Sequence, residues 1–354
     1  MRTAIFALTP PAAALARRIA SCMDEGSAAL FFSARLAETE DEANVSCFAR
    51  LSDAVQDAFS RYDALIFIMA TGIVVRTLAP LIKSKLSDPA VLVFDERGEH
   101  GISLLSGHVG GANALTHRLS AAIGADPVIT TATDVSGLVA PDSLAAELGL
   151  RPVPKAMIQQ ANSALLAGEH LGYAIEDGLS HEAFYREQLA SRGIAVRQPA
   201  DRQGESVCVV LADADRGAPH TLYLVPRRLI AGVGCRRGIS ADEILSAIAA
   251  ACMRIGVLPS RIDALASTAV KRDEKGLLEA AKRLGHTISF YGNEPMQRQI
   301  EAHGLTESAF VRQTIGIGNV CEAAALCCAE AQGGRFALCK TKFEKVTVAL
   351  LWEK

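Results

Sequence analysis

Short apolar runs alternate along most of the chain with segments in which apolar residues recur every three or four positions. The runs predict β-strands, and the second pattern predicts amphipathic helices that bury one face on a sheet. Strands that alternate with helices are typical of βαβ units and a parallel sheet, so the sequence predicts an α/β protein. The strands predicted in the first part of the chain span residues 3–8, 28–32, 64–69, 90–94 and 128–131.

This pattern weakens around Pro141 and resumes near Leu229. Between these points, only segments 171–175 and 207–212 have the character of strands, and a helix with a loop is expected between residues 181 and 201. We therefore predict an N-terminal parallel-sheet α/β domain, a small middle domain or connector, and a separate C-terminal α/β domain. The predicted domain boundaries are 1–138, 139–226 and 227–354.

The C-terminal part carries clear helix signals. Ser240 is followed three residues later by Glu243, which predicts a capping box at a helix start. Asp273 and Glu274 open a second predicted helix that ends before Gly285. The strands expected here span residues 229–235, 264–267, 287–291, 336–339 and 346–351.

Length, composition and charge narrow the class of protein. A chain of 354 residues is longer than a single hydrophobic core usually supports, which indicates several domains. The net charge of −3 excludes the basic footprint of a nucleic-acid-binding protein. The longest apolar run, residues 64–75, is too short to span a bilayer, and Pro10-Pro11 breaks the first apolar run too early for a signal peptide. We expect a cytoplasmic α/β enzyme.

The nine cysteines form neither a CxxC pair nor any other metal-ligand spacing. We expect all nine to be reduced and mostly buried, as in a reducing compartment. No metal site is predicted from the residues.

Polar and glycine residues cluster at three points where an apolar run ends. These clusters are Thr71-Gly72, Ser106-Gly107-His108 and the residues from Thr130 to Asp134. Because ligands bind at the carboxyl ends of the strands in α/β proteins, three such clusters predict one ligand site.

The segment SGHVGGAN, from Ser106 to Asn113, is the strongest of these signals. A strand–glycine–helix junction offers backbone N–H groups and a positive helix end to an anion. His108 can act there as a general base or hydrogen-bond donor. Equally, His108 can cap the helix or satisfy a buried carbonyl. The predicted ligand-binding residues of this segment are Ser106, Gly107, Gly110, Gly111 and Asn113.

The other two clusters repeat this arrangement. Thr131, Thr133 and Asp134 offer side-chain oxygens to a ligand or a water, although Asp134 can also be a helix N-cap. Thr71 and Gly72 precede Arg76 by about one helical turn, and its guanidinium can grip a carboxylate. Alternatively, Arg76 only pairs on the surface with Asp88 or Asp95.

The C-terminal part adds weaker candidates. Gly234 and Arg236 lie in a glycine-rich run that lacks GxGxxG spacing, so we reject a dinucleotide site. Lys271 and Glu274 can meet a ligand or each other. Cys235 is a candidate nucleophile, with a buried, unreactive thiol as the alternative. The chain contains no GxxxxGK[ST], GxSxG or HExxH motif, which excludes several nucleotide, hydrolase and metal classes.

Several of these segments resemble one known family. TGIVVR, SDPAV, LLSGHVGGAN and ITTATD are similar to the N-terminal part of cobalt-precorrin-5A hydrolases of the oxygen-independent, early-cobalt branch of cobalamin synthesis. GVGCRRG, STAVKRDEKGLL and TIGIGNVCEAAAL resemble the final domain of that family, and also small stand-alone proteins of the oxygen-dependent pathway. The resemblance covers both ends of the chain strongly and the middle weakly.

The resemblance implies a reaction on a ring-contracted cobalt tetrapyrrole that carries a δ-lactone. Water opens the lactone, and a two-carbon unit leaves as acetaldehyde to give cobalt-precorrin-5B. For this chemistry we expect His108 as base or proton shuttle, Asp134 as its partner, and the backbone of Gly110 and Gly111 as oxyanion donors. Arg76, Arg236 and Lys271 would bind the carboxylates of the macrocycle.

No cofactor is expected, because the cobalt arrives inside the substrate. We expect a homodimer and transient contact with neighbouring pathway methyltransferases, and neither nucleic acid nor membrane as a partner. Two alternatives remain open: a non-catalytic tetrapyrrole carrier, and an unrelated α/β hydrolase or transferase that acts on a small anionic metabolite.

Overall fold

A computed structural model describes residues 1–24, 26–36, 45–85, 87–108, 110–132, 137–197, 206–329 and 333–353. The chain divides into two compact units. The first unit comprises residues 1–82, 93–98 and 228–354, and the second comprises residues 83–92 and 99–227. The domain boundaries predicted from the sequence stay predictions.

The described residues form twelve α-helices and seventeen β-strands. The helices, α1 to α12 in chain order, are Pro10–Ser21, Leu51–Phe59, Thr71–Leu78, Ala112–Ile123, Pro141–Glu147, Lys155–Leu166, Glu182–Ala190, Ala241–Arg254, Lys275–Arg283, Asn293–His303, Ala309–Ile315 and Cys321–Cys328. The strands, β1 to β17, are Thr3–Ala7, Ala28–Ser33, Val45–Phe48, Ala64–Ile68, Ala90–Phe94, His100–Leu105, Asp126–Val128, Leu150–Val153, Gly172–Ile175, Val196–Arg197, Cys208–Leu211, Thr221–Pro226, Leu229–Cys235, Ala264–Thr268, Ile288–Tyr291, Gly334–Phe343 and Val346–Glu353.

The first unit begins with parallel strands in the order β3-β2-β1-β4. The predicted strands in this part are confirmed to within one or two residues. Every residue of β1 and β4 is buried, as expected for parallel strands that are covered on both faces. Phe6 stacks between Phe31 and Phe67 on adjacent strands and joins the three side chains into one packed row.

The C-terminal strands of the first unit form a mixed sheet in the order β15-β14-β13-β17-β16. Strands β13, β14 and β15 are parallel, and β17 runs antiparallel to both β13 and β16. The capping box of Ser240 and Glu243 is confirmed, because each side chain accepts the backbone N–H of the other residue. The second predicted helix is also confirmed as α9, with Glu274 as its N-cap.

The second unit contains the parallel pair β6 and β7. The predicted strand at 128–131 is wrong, because β7 spans Asp126–Val128 and residues 129–131 are irregular. Two contacts account for the difference. The Asp126 N–H donates to the Glu99 carbonyl and starts the strand early, and Thr131 turns to accept a hydrogen bond from Asn113.

The second unit also contains a five-stranded sheet in the order β10-β9-β11-β12-β8. The expectation of two strands in this region is therefore too low: β9 and β11 are confirmed, and three strands were missed. Strand β8 was missed because Pro152 argues against a strand, but β8 lies at the edge of the sheet, where proline is tolerated. The predicted helix after His181 is confirmed as α7, whereas residues 198–201 of the predicted loop lie outside the described residues.

All nine cysteines are free thiols, and five of them are buried. Cys22 and Cys47 are exposed. Burial raises the pKa of Cys252 to about 12, so its thiol stays protonated and unreactive at neutral pH. None of the described helices combines the length and apolar character needed to cross a bilayer.

Candidate active site

A hollow of about 260 Å³ lies within the second unit. Polar groups enter it from the end of β6, from the segment after β7 and from helices α5 and α6. The residues that line it are Lys85, Ser106, Gly107, His108, Thr131, Ala132, Asp142, Asn162 and Leu166.

The turn between β6 and α4 positions the first group of these residues. Ser106 has a φ of +58° and Gly111 a φ of +81°, and these two left-handed residues reverse the chain into the helix. The N–H groups of Ala112 and Asn113 donate to the carbonyls of Ser106 and Gly107, at 3.2 and 3.1 Å. The Gly111 N–H donates to the His108 carbonyl at 2.9 Å. Three of the backbone N–H groups that were predicted to bind an anion therefore donate to carbonyl groups within the turn instead.

Two glycines of this turn allow a close approach of neighbouring atoms. A Cβ atom on Gly107 would lie 2.6 Å from the amide oxygen of Asn113. A Cβ atom on Gly110 would lie 2.3 Å from the Cβ of Ser106 and 2.5 Å from its carbonyl oxygen. Both positions require glycine because the turn folds back on itself, whatever the ligand.

His108 and the buried Asp142 form a hydrogen-bonded pair at the hollow. His108 Nδ1 donates to Asp142 Oδ2 at 3.2 Å, and the two side chains are 11% and 1% exposed. The other carboxylate oxygen, Oδ1, accepts hydrogen bonds from Asn162 Nδ2 and from the Ser143 N–H, each at 3.1 Å. The carboxylate thus fixes the orientation of the imidazole through Nδ1.

The pKa of Asp142 is lowered although its carboxyl group is buried. Burial alone would raise this pKa, but the hydrogen bond and charge of His108, the Asn162 amide and the Lys85 ammonium group together outweigh it. Asp142 is therefore a carboxylate at neutral pH. Burial, followed by the negative charge of Asp142, raises the pKa of Tyr173, so that side chain remains a neutral phenol.

The Asn113 side chain forms hydrogen bonds to two segments beside the hollow, β6 and the segment after β7. Its amide oxygen accepts a hydrogen bond from Ser103 Oγ at 2.6 Å, and its Nδ2 donates to Thr131 Oγ1 at 3.0 Å. The side chain is buried and both of its polar atoms are engaged. Asn113 was predicted to bind the ligand, and in this structure it connects β6 to the segment after β7.

Sequence reasoning missed Asp142 and Asn162. Asp142 follows Pro141 in the first turn of α5, where an acidic residue is common at any helix start. Asn162 lies inside α6 and has no sequence signal of its own. The predicted partner of His108, Asp134, and the predicted ligand-binding residue Thr133 lie outside the described residues.

Thr71, Gly72 and Arg76 belong to helix α3 of the first unit. The exposed Arg76 guanidinium donates to the Gly72 carbonyl at 2.9 Å, one turn earlier in the same helix. Asp88, its suggested surface partner, accepts the backbone N–H groups of Lys83 and Ser84. That this cluster and His108 share one cleft stays a prediction.

The C-terminal candidates also belong to the first unit. Lys271 Nζ lies 3.3 Å from Glu274 Oε2, and both side chains are buried, so these residues meet each other. The second oxygen of Glu274 accepts the Gly238 N–H. Gly234 packs against Thr347, whose hydroxyl oxygen would lie 2.6 Å from a Cβ atom there. Arg236 is exposed, and its backbone N–H donates to the Lys345 carbonyl.

Cys235 lies near the Lys271–Glu274 pair. Burial raises the pKa of its thiol to about 11, with smaller and opposed influences from Lys271 and Glu274. A thiol with this pKa is almost fully protonated at neutral pH, so Cys235 is a poor nucleophile. Among the described residues, no group of three or more His, Cys, Asp or Glu side chains is arranged to hold a metal ion.

We predict that Gly110→Ala damages the turn that carries Ser106 and His108. The new methyl group would overlap the Ser106 carbonyl oxygen, so the free energy of unfolding should fall by about 1–3 kcal/mol. Gly292→Ala is the matched control, because its Cβ would meet nothing closer than 4.0 Å and its φ is −72°. Urea denaturation of both variants measures the effect, and equal stability of the two would contradict this account of the turn.

Comparison with known proteins identifies the family. The sequence-family model named cobalamin synthesis G N-terminal matches residues 53–134. The family model named cobalamin synthesis G C-terminus matches residues 229–351. A cobalt-precorrin-5A hydrolase from Salmonella typhimurium is 38% identical over 323 residues, which is 90% of this chain and 89% of that protein. A second one, from Priestia megaterium, is 31% identical over 73% of this chain and 71% of that protein.

A solved structure agrees with the fold. The crystal structure of a cobalamin biosynthesis protein G homologue from Sulfolobus solfataricus matches with a TM-score of 0.63 at 20% identity, and covers 100% of this chain and 97% of that one. The α/β class predicted for the chain is confirmed. With relatives that match most of its length at more than 30% identity, the chain belongs to the family of cobalt-precorrin-5A hydrolases.

Proposed function

We propose that this protein hydrolyses the δ-lactone of cobalt-precorrin-5A and releases acetaldehyde to give cobalt-precorrin-5B. The observation that carries the proposal is the pair formed by His108 and the buried Asp142 at a hollow, in a chain of this family. Lactone opening needs a base to take a proton from the attacking water, and an oriented imidazole is suited to that role.

The reaction consumes one water molecule. Attack on the lactone carbonyl breaks the ring C–O bond, which leaves a carboxylate on the macrocycle and a hydroxyl group on the two-carbon unit. Loss of the hydroxyl proton then lets the C–C bond break, so the unit leaves as acetaldehyde. The electron pair passes into the conjugated macrocycle, which takes up a proton.

His108 Nε2 would accept the proton in the first step and return it to the leaving oxygen. Asp142 holds the imidazole through Nδ1 and stabilises the imidazolium as it forms. Asp142 thus takes the role that the sequence suggested for Asp134, whose part in the site stays a prediction. Lys85, an exposed cation at the hollow, is suited to bind a carboxylate of the substrate.

The size of the hollow supports binding of the lactone edge alone. Pockets that enclose a drug-sized ligand usually measure about 300–1,000 Å³. A hollow of about 260 Å³ is too small for a whole tetrapyrrole but can admit a lactone ring and its carbonyl. The rest of the macrocycle would lie outside, where its carboxylates need further cationic contacts.

Several finer parts of the proposal stay predictions. These are the absence of a dedicated cofactor, with cobalt as part of the substrate, the homodimer, the contact with pathway methyltransferases, and substrate contacts by Thr71, Gly72, Arg76, Thr133, Gly234, Arg236, Lys271 and Glu274. The carrier alternative is not favoured, because the matching relatives are named as hydrolases.

The decisive experiment is anaerobic incubation of the purified protein with cobalt-precorrin-5A, followed by an assay for acetaldehyde. We expect acetaldehyde in a one-to-one ratio with the substrate consumed, and a corrinoid product that has lost two carbons. Tight binding of the substrate without acetaldehyde release would instead identify a carrier.

A further inference from the structure

Ser106 combines two unfavourable features at the edge of the hollow. Its φ of +58° lies in the left-handed region, which favours glycine. Its Oγ atom is buried and, within the part of the chain that the structure describes, has no hydrogen-bond partner. A buried hydroxyl group without a partner is unusual in a folded protein and calls for an explanation, such as a role in catalysis.

The hollow beside Ser106 holds the groups that can activate a nucleophile, and Ser106 Oγ makes no hydrogen bond to His108 in the present conformation. Ser106, His108 and Asp142 all line the same hollow, and His108 is already oriented by Asp142. A hydroxyl group, an imidazole and a carboxylate form the usual set of nucleophile, base and orienting acid. The residue spacing differs from GxSxG, which is why the sequence did not reveal this set.

The local fold also matches that role. Ser106 directly follows strand β6, and helix α4 begins six residues later, so the serine lies in a sharp strand-to-helix turn. In hydrolases with a nucleophile elbow, a strained turn of this kind presents the serine hydroxyl. Here Gly110 provides the space beside Ser106, because any Cβ at that position would overlap the Cβ and carbonyl oxygen of the serine.

We propose that Ser106 is the nucleophile that opens the lactone and that the reaction passes through an acyl-enzyme. This inference rests on the proposed function and names the atom that attacks first. Ser106 Oγ bonds to the lactone carbonyl carbon and passes its proton to His108. The ring C–O bond breaks, and its oxygen takes that proton from His108.

The remaining steps restore the enzyme. The freed hydroxyl group loses its proton, the C–C bond breaks, acetaldehyde leaves, and the macrocycle takes the electron pair and a proton. Water, activated by His108, then attacks the ester and releases the substrate carboxylate, while Ser106 Oγ takes back a proton. One water is consumed overall, as in direct hydrolysis.

The hydroxyl group must turn toward the hollow for this attack, because its oxygen is covered in the present conformation. Rotation about the Cα–Cβ bond is sufficient to redirect it. Since Oγ has no hydrogen-bond partner among the described residues, that rotation breaks no hydrogen bond that the structure records.

Ser106→Ala and Ser120→Ala form a matched pair for the test. Ser120 lies in α4 and also has a buried hydroxyl group without a partner among the described residues. Both variants therefore remove a buried hydroxyl oxygen that has no partner among the described residues, and both should fold. We expect Ser106→Ala to slow acetaldehyde release by about 10³-fold or more, and Ser120→Ala to act like the wild type.

Two further measurements detect the covalent bond. Acid quenching during turnover, followed by intact-protein mass spectrometry, should show a corrinoid adduct on the wild type and none on Ser106→Ala. A fluorophosphonate probe, which needs no natural substrate, should label Ser106 in the wild type, and His108→Ala should lose most of this labelling.

The outcomes separate this inference from the proposed function. Acetaldehyde release with neither an adduct nor probe labelling at Ser106 would overturn the nucleophile role and leave the function intact. An unchanged rate in Ser106→Ala would do the same. Labelling of Ser106 without any acetaldehyde would support the nucleophile and refute the proposed reaction.

Discussion

His108→Ala is expected to lower the rate of acetaldehyde release by about 10²–10⁴-fold, the usual contribution of a positioned general base. The imidazole is the group at the hollow that is oriented by a buried carboxylate, so its loss leaves no oriented base there among the described residues. The measurement is the single-turnover rate at saturating cobalt-precorrin-5A, which separates the chemical step from binding.

A second histidine in the same unit provides the control. His100 Nδ1 lies 4.0 Å from Asp126 Oδ2, in a pair that is 60% and 75% exposed. His100→Ala removes the same side chain from a solvated surface and should leave the rate within about twofold of the wild type. If both variants retained the wild-type rate, His108 would have no role in proton transfer.

Asp142→Asn is expected to reduce the rate by about 10³–10⁴-fold, although the shape of the side chain is unchanged. In catalytic triads, the equivalent replacement favours the wrong imidazole tautomer, because an amide can donate to the nitrogen that the carboxylate kept protonated. The defect should appear in the rate of the chemical step, with substrate affinity nearly unchanged. Asp126→Asn, in the exposed pair, is the matched control.

The free energy of unfolding of Asp142→Asn should also be lower than that of the wild type at neutral pH, by about 1–3 kcal/mol. In the wild type, the buried carboxylate accepts charge-assisted hydrogen bonds from His108 and Asn162, and the amide cannot replace them fully. The pKa of Asp142 is lowered from its usual value of 3.8, so its stabilising contribution is complete above that pH. The contribution disappears as the pH falls through the lowered pKa of the folded state.

Urea denaturation at several pH values tests this assignment. The difference in unfolding free energy between the wild type and Asp142→Asn should persist from neutral pH to about pH 4, and should disappear only in stronger acid. A difference that already disappeared near neutral pH would mean that the carboxyl group is protonated there, which contradicts its proposed role.

Many helices and strands can be predicted from the sequence because they depend on patterns among neighbouring residues. The strands of the first unit appear as short apolar runs, and the capping box at Ser240 is a pattern over four residues. Two of the three strands missed in the five-stranded sheet lack such signals, whereas the third, β12, has the apolar run TLYLVP and was overlooked. Strand β8 contains Pro152 and β10 has two residues, so neither shows a strand pattern before the sheet pairs them.

The sequence by itself determined the α/β class, the family resemblance and the glycine-rich turn from Ser106 to Asn113, since glycine spacing and apolar periodicity are properties of neighbouring residues. The tertiary structure decided which side chains meet. It placed Asp142, 34 positions along the chain, against His108, and it gave Ser106 a left-handed backbone and a buried hydroxyl group. Contacts between residues so distant in sequence depend on the packing of whole helices and strands, and a single sequence carries no local mark of them.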